Sequence, residues 1–338
     1  MNGSNENLGH FFENMNQIGI VGLGHLGEIH LKQWLELVSA EQIRVFDNNS
    51  ERLQWIAKQY SVSIAQSYDE LLQFASIIDV VTPTQFHFQF AKQAIAASKH
   101  VFIEKPICYS LEEAKILSQM IEGTDLKVQV GHVERFNPAF TSIEKELVDP
   151  QFFEIHRLAP FNPRGTEVSV VMDLMIHDID IVLKLVQSKV KSIQANGVSV
   201  INSSVDIANA RVLFENGCVA NFTASRISMK KMRKMRIFKQ NMYATIDFLD
   251  KVSEVYKIVD ADLDTENYFE LQTGEKKKIS FFNNSQIEKN AIQEELKYFL
   301  YSVENQIDVK VSIDDASAAL ALAIEIQNEC IDKKAQLA

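Results

Sequence analysis

Gly22-Leu23-Gly24-His25-Leu26-Gly27 follows the β-rich apolar run 17–21 and opens a segment whose apolar residues, Leu26, Ile29, Leu35 and Leu37, suit one helix face. Each glycine has its own reason to be there. The first permits a tight turn, the second lets backbone approach a pyrophosphate, and the third lets helix and strand pack closely. The helix N-terminus then offers N–H groups and the positive end of its dipole to an anion. GxGxxG alone is a weak signal, because glycines also gather in plain turns. Asp47 strengthens it, standing twenty residues past Gly27 at the end of a second apolar run, 43–46. A carboxylate there accepts hydrogen bonds from adenine-ribose hydroxyls and repels a 2′-phosphate. Asn48, Asn49 and Ser50 follow, with no arginine before Arg52. Strand, glycines, helix and acid together imply a dinucleotide site that prefers NAD to NADP. Its residues are Gly22, Gly24, His25, Leu26, Gly27, Asp47 and Asn48.

Outward from that motif, strand-like and helix-like segments alternate. Apolar runs at 77–81, 101–103 and 126–130 are separated by helical patterns, two of them opened by the capping signatures Ser67-Tyr-Asp-Glu70 and Ser110-Leu-Glu-Glu113. This rhythm predicts a doubly wound parallel sheet with helices on both faces, a Rossmann domain over residues 16–134. After about Arg135 the rhythm changes. A long helix is expected over 167–187. Strand-like runs at 190–200, 206–214, 219–225, 235–238 and 243–248 then follow without helices between them. They read as a predominantly antiparallel sheet with one open face. Helical segments at 286–303 and 313–333 finish the chain. Residues 135–338 are therefore expected to form a second, α+β domain for substrate binding and oligomerisation.

Composition sets limits on function. The 338 residues carry a net charge of −11, with 46% hydrophobic and 23% charged residues. An acidic chain is a poor match for nucleic acid. No apolar run reaches membrane-spanning length. Cys108, Cys218 and Cys330 form no CxxC pair and read as buried hydrophobes rather than zinc ligands or a disulfide framework. Residues 1–15 are polar and lack the pattern of a secretory signal, so they read as a leader without fixed structure, and the cytoplasm is the expected compartment.

Three features carry chemistry. Glu104-Lys105-Pro106 follows the run at 101–103, at the carboxyl edge of the sheet where open α/β folds bind ligands. Asp173 and His177 stand i, i+4 on the long helix and share a face, with Asp180 continuing the stripe. Alcohol oxidation needs a group that takes the hydroxyl proton, and histidine suits it. A carboxylate would orient the ring, and a lysine would polarise the oxygen or take the proton itself. By spacing alone, such an Asp/His pair is more often an ordinary ion pair than a catalytic dyad, and a lysine after a strand is usually solvated. No metal site is expected.

The chain resembles the Gfo/Idh/MocA oxidoreductases from about residue 16 to 333. The resemblance rests on Gly22–Gly27, Val81-Thr82-Pro83 with His87, Glu104-Lys105-Pro106, and Asp173-Leu-Met-Ile-His177-Asp178. It implies that Lys105 and His177 line the active site with Asp173 as partner of His177. Thr82, Pro83 and His87 would border the nicotinamide half of the cofactor, with Glu104 close by. It also implies a homodimer or homotetramer built on the open sheet face. More narrowly, residues 131–138 and 172–183 resemble UDP-N-acetylglucosamine 3-dehydrogenases. That implies hydride transfer from a secondary alcohol of a nucleotide sugar to NAD. A free sugar or cyclitol substrate and a catalytically silent NAD-sensing regulator stay open as alternatives. Arg135 and Asn137, which follow a strand end, are substrate candidates or core caps. The basic tract 230–239, with Lys231 and Arg233, is either a diphosphate contact or a solvated strand edge.

Overall fold

A computed structural model describes residues 16–162, 168–201, 203–261, 269–270, 272, 274–284 and 288–336. The leader expected over 1–15 and the start of the helix expected at 167 lie outside the described residues. The chain divides into two compact units. One runs to His132 and resumes over Ile292–Ser317; the other takes Val133–Ala291 and the residues from Ala318 on.

The first unit contains strands β1 (Ile18–Val21), β2 (Ile43–Phe46), β3 (Ser63–Ile64), β4 (Ile77–Val80), β5 (His100–Glu104) and β6 (Val128–Gly131). They form a six-stranded parallel sheet in the order β3-β2-β1-β4-β5-β6. Its order reverses at β1/β4, the switch point where such sheets bind ligands. Helices α1 (His25–Leu35), α2 (Ser50–Tyr60), α3 (Tyr68–Phe74), α4 (His87–Ala96) and α5 (Leu111–Ile121) connect the strands. Every residue of β1 and β4 is buried, as a sheet covered on both faces requires.

Local chemistry sets the helix starts. Asn49 caps α2 by accepting from Arg52 N. Ser110 and Glu113 form a reciprocal capping box at α5. At α3, Ser67 accepts from Glu70 N, while Glu70 reaches past the cap to Gln66 N.

The sequence assigns residues 292–305 to the second domain; the structure places them with the first. Leu296, Phe299 and Val303 complete a core that holds Ile18, Trp34 and Phe102. Phe299 packs 5.7 Å from the Phe102 ring, and its truncation to alanine would cost about 3–5 kcal/mol.

The second unit is built on a nine-stranded sheet of β7 (Phe152–Leu158), β8 (Val190–Val198), β9 (Ile207–Phe214), β10 (Val219–Ser225), β11 (Met232–Lys239), β12 (Met242–Asp247), β13 (Val252–Asp260), β14 (Phe269–Glu270) and β15 (Lys276–Asn284). The order is β14-β15-β13-β12-β11-β7-β10-β9-β8, and among the described residues only β7 and β10 pair in parallel. Strands β7, β13, β14 and β15 are not among the strand-like runs read from the sequence. One face of the sheet packs Phe153, Ile155, Met235 and Ala244 against α6 (Ile176–Val186), the second helix of this half of the chain. Ala319, Leu322, Ala323 and Ile326 of α8 (Ile313–Gln336) join the same core, α7 being Ala291–Asn305.

On the opposite face, Phe152, Phe238, Tyr243, Tyr256 and Phe281 stand in register across β7, β11, β12, β13 and β15. Their successive ring centroids lie 5.8, 4.9, 5.7 and 4.8 Å apart.

Candidate active site

The glycine turn is built as its spacing demands. Gly22 has φ +95, and a Cβ there would lie 2.7 Å from Val81 O. A Cβ on Gly27 would lie 1.9 Å from Gly22 O, so helix and strand touch at this point. Gly24 is different, because a Cβ there would meet nothing within 4 Å. Its glycine leaves space for a ligand. Gly24 caps α1 with no side-chain hydrogen bond, which leaves first-turn amides to an anion. His25 is exposed at that end, while Leu26 packs against the core.

Asp47 is tied into the same turn. Leu23 N donates to Oδ2 at 2.6 Å and Asn49 N donates to Oδ1 at 2.7 Å. The carboxylate is half-buried, and Asn48 beside it is exposed. Arg52 is engaged within the turn. Its Nε donates to Leu23 O at 2.7 Å and its Nη2 to Glu28 Oε2 at 2.6 Å. Hydrogen bonds from Tyr60, Lys32 and Arg52 hold the Glu28 carboxyl at about 2. Gly22, Asp47, Asn48, Thr82 and Pro83 line one cleft of about 250 Å³. The Thr82 hydroxyl is buried there with no hydrogen-bond partner among the described residues. Open space at Gly24, uncapped amides and an orphaned hydroxyl fit a dinucleotide lying along this edge.

His87 corrects the expectation that it borders the cofactor. The residue is 1% exposed. Its Nδ1 lies 2.9 Å from Pro106 O and its Nε2 2.7 Å from Thr82 O. Burial pushes its pKa down while the two carbonyls work the other way, and the ring joins the turn after β4 to the turn after β5. Lys105 is half-buried at the end of β5, and its N–H donates to Glu104 Oε2 at 3.0 Å. Glu104 also meets a residue that the sequence reading missed. His30 of α1, fully buried, places Nε2 3.1 Å from Glu104 Oε1 and Nδ1 2.9 Å from Asp79 Oδ2. No spacing rule links these three residues.

In the second unit the expected long helix has a local change of pitch. Val171–Met175 is a turn of π-helix, after which α6 begins at Ile176. Such turns recur at functional sites. Asp173 lies in this turn and His177 in the first turn of α6, and both are half-buried.

The next carboxylates are anchors. Asp178 accepts from Arg157 Nε and Nη2, both at 2.8 Å, and Arg157 Nη1 donates to Glu134 Oε1 at 2.9 Å. Asp180 accepts from Arg135 Nε at 2.7 Å and from its Nη2 at 2.6 Å. These bonds correct the substrate reading of Arg135, which is 1% exposed and bound to the helix. Asn137 is also buried. It caps the short helix Pro138–Thr141 and donates to Glu134 Oε2 and Phe248 O at 2.9 and 3.0 Å.

The basic tract does not form one patch. Lys234 pairs with Asp247 at 3.2 Å, Lys239 donates to Val148 O, and Arg233 lies 3.8 Å from Glu134. Lys230 and Lys231 are exposed ahead of β11.

Known proteins match both halves of the chain. Residues 16–132 match the model of an oxidoreductase family with an NAD-binding Rossmann fold, and residues 146–242 match the GFO/IDH/MocA C-terminal domain. The UDP-N-acetylglucosamine 3-dehydrogenase of Acidithiobacillus ferrooxidans is 37% identical over 239 residues, 70% of this chain and 76% of that protein. A solved structure of that enzyme superposes with a TM-score of 0.83 at 31% identity, covering 93% of this chain and 97% of the other. The inositol 2-dehydrogenase of Rhizobium meliloti is 26% identical over 91% of this chain and 94% of its own length. No helix among the described residues is long and apolar enough to cross a membrane. With its NAD-binding Rossmann sheet, its largely antiparallel partner sheet and family matches in both halves, the chain belongs to the Gfo/Idh/MocA family of oxidoreductases.

Proposed function

We propose that the protein oxidises a secondary alcohol of a nucleotide sugar, of the class of UDP-N-acetylglucosamine, to a ketone. The observation that carries the substrate class is the 37% identity to a UDP-N-acetylglucosamine 3-dehydrogenase, joined to a shared fold over nearly the whole chain. Bound NAD supplies the acceptor for the hydride. His177 takes the hydroxyl proton as the C–H bond breaks, and Asp173 orients the imidazole and stabilises its protonated form. Lys105 polarises the substrate oxygen. Lys230 and Lys231, with Arg233 beside them, supply positive charge for a diphosphate. Retention of an acid/base set argues against a silent NAD sensor, for which binding alone suffices.

A panel of UDP-N-acetylglucosamine, UDP-glucose, N-acetylglucosamine, myo-inositol and scyllo-inositol, each followed by NADH absorbance, tests this reading. Turnover confined to UDP-sugars is expected. Preference for a free cyclitol would overturn the substrate class, and no turnover with any sugar would favour the sensor.

We further propose a cytoplasmic homo-oligomer whose subunits join through the aromatic face of β7, β11, β12, β13 and β15. Phe281 is 52% exposed and Ile279 62% exposed on that face, and contiguous apolar surface of this kind is covered in stable assemblies. Light scattering of wild type and of Phe281→Lys tests it. A dimer or tetramer that the variant dissociates is expected, and a wild-type monomer would sink the idea.

A further inference from the structure

Three titratable groups from distant parts of the chain meet inside the first unit. His30 comes from α1, Asp79 from the middle of β4 and Glu104 from the last position of β5. Both ring nitrogens of His30 face carboxylate oxygens, at 2.9 Å from Asp79 and 3.1 Å from Glu104. With both carboxylates ionised each can only accept, so both nitrogens carry hydrogen and the ring is an imidazolium. Trp34 Nε1 donates to the same Asp79 oxygen at 2.8 Å, a second bond on Oδ2. The free edge of Glu104 points the other way, where Oε2 accepts from Lys105 N at 3.0 Å. Glu104 fits against Gly131 of β6, where a Cβ would lie 2.9 Å from its Oε1.

The group is closed off from water. His30 and Asp79 are fully buried and Glu104 is 7% exposed. The Phe102 ring meets His30 edge-on, with centroids 5.7 Å apart. Other titratable groups nearby are Lys105, which stabilises the Glu104 charge, and His87, whose lowered pKa Glu104 partly offsets. Buried Glu295 of α7 lies over Gln129 of β6, the register neighbour of Phe102.

We propose that His30 is a positioning residue for Lys105: its imidazolium, clamped by Asp79, keeps Glu104 ionised and fixed against the Lys105 backbone, and so sets the direction and charge environment of the lysine. The inference rests on Lys105 taking part in the reaction. A buried carboxylate without a cation takes up a proton. Glu104 would then lose the negative charge beside Lys105 and weaken as an acceptor for its N–H. Burial alone would discharge His30, but Asp79 and Glu104 outweigh it and raise the imidazole to about 10.

The ring can be watched directly. In the wild-type chain without cofactor, the His30 Cε1–H resonance is expected to hold its protonated position through neutral pH. Titration near the ordinary 6.5 overturns the proposal, whatever Lys105 does. The raised pKa also gives a sign to stability. The contribution is complete below 6.5 and is lost as pH rises through about 10, a loss that His30→Gln should lack.

In turnover of UDP-N-acetylglucosamine, His30→Gln is expected to lose up to about 10²-fold in kcat, with NAD affinity retained. Its acid limb should move up by about 1–3 pH units as Glu104 takes up a proton. The double variant His30→Gln/Glu104→Gln should be no worse than Glu104→Gln alone. Wild-type kcat and pH profile in His30→Gln, or a lowered Tm without either change, overturns the proposal. If His30→Gln does not fold, Glu104→Gln removes the charge and keeps the shape, and wild-type kcat there is equally decisive. Lys105→Met separates the two readings. Full turnover in that variant removes the role of Lys105, while the ring resonance still decides the charge on His30.

Discussion

Replacing Arg157 by methionine should destabilise the second unit more than the loss of any surface ion pair would. The guanidinium is 2% exposed and joins three elements, donating twice to Asp178 of α6 and once to Glu134. Its Cζ also lies 5.8 Å from the Phe248 ring centroid. Burial works against a charge here, yet Asp178 and Glu134 outweigh it, and the guanidinium holds its proton more tightly than usual. Methionine keeps much of the volume but none of the donors. Glu134 and Asp178 would then face each other in a dry site. Arg233, half-exposed and 3.8 Å from Glu134, replaces little of the lost attraction. Breaking one side of a buried ion pair costs about 3–5 kcal/mol. For a unit of this size each kcal/mol moves Tm by about 2–4 °C, so a fall of roughly 6–20 °C is expected. Thermal unfolding followed by circular dichroism measures it. Arg157→Met combined with Glu134→Gln and Asp178→Asn should recover more than half the loss, because no charge is left uncompensated. A single variant melting within about 2 °C of wild type would show that water reaches these carboxylates and would refute the argument.

The glycine turn separates binding from folding. Gly24→Ala should leave Tm unchanged while weakening NAD binding, whereas Gly27→Ala should destabilise the first unit, because its Cβ would lie 1.9 Å from Gly22 O; equal effects in melting and NAD titration would contradict this. Asp47→Ser with Asn48→Arg should shift preference toward NADP, measured by titrating both cofactors, and an unchanged ratio would remove Asp47 as the discriminator. His177→Ala should lose about 10²–10⁴-fold in kcat and the lower limb of its pH profile, with NAD affinity little changed. Asp173→Asn should lose less, and wild-type turnover in His177→Ala would make that stripe structural.

The dinucleotide half was legible because backbone sterics dictate its residues. Only glycine tolerates the Gly22 conformation and the Gly27 contact, and the acid must stand where β2 ends. Arg135 and Asn137 were harder. The sequence shows them following a strand, but not that Asp180, 45 residues away, takes the guanidinium. His30, Asp79 and Glu104 share no local pattern, and Asp79 hides inside the apolar run Ile-Ile-Asp-Val. The turn of π-helix at Val171–Met175 leaves no trace in hydrophobic spacing, because its residues are almost all apolar. Strand β15 alternates poorly, with Lys276-Lys-Lys278 leading into Phe281-Phe282, so its period of two is blurred.

The return of α7 to the first unit also sets an order of events during synthesis. The six parallel strands are complete once Gly131 has left the ribosome, but Trp34 and Phe102 still lack Leu296, Phe299 and Val303. Those residues arrive only after the whole nine-stranded sheet has been made. At about 5–20 residues per second the gap is roughly 10–30 s. For that interval the nascent cofactor half has an open flank over its central strands. A fragment ending near residue 134 would be caught permanently in the same condition, so a soluble NAD-binding piece of this protein must carry residues 292–317 as well.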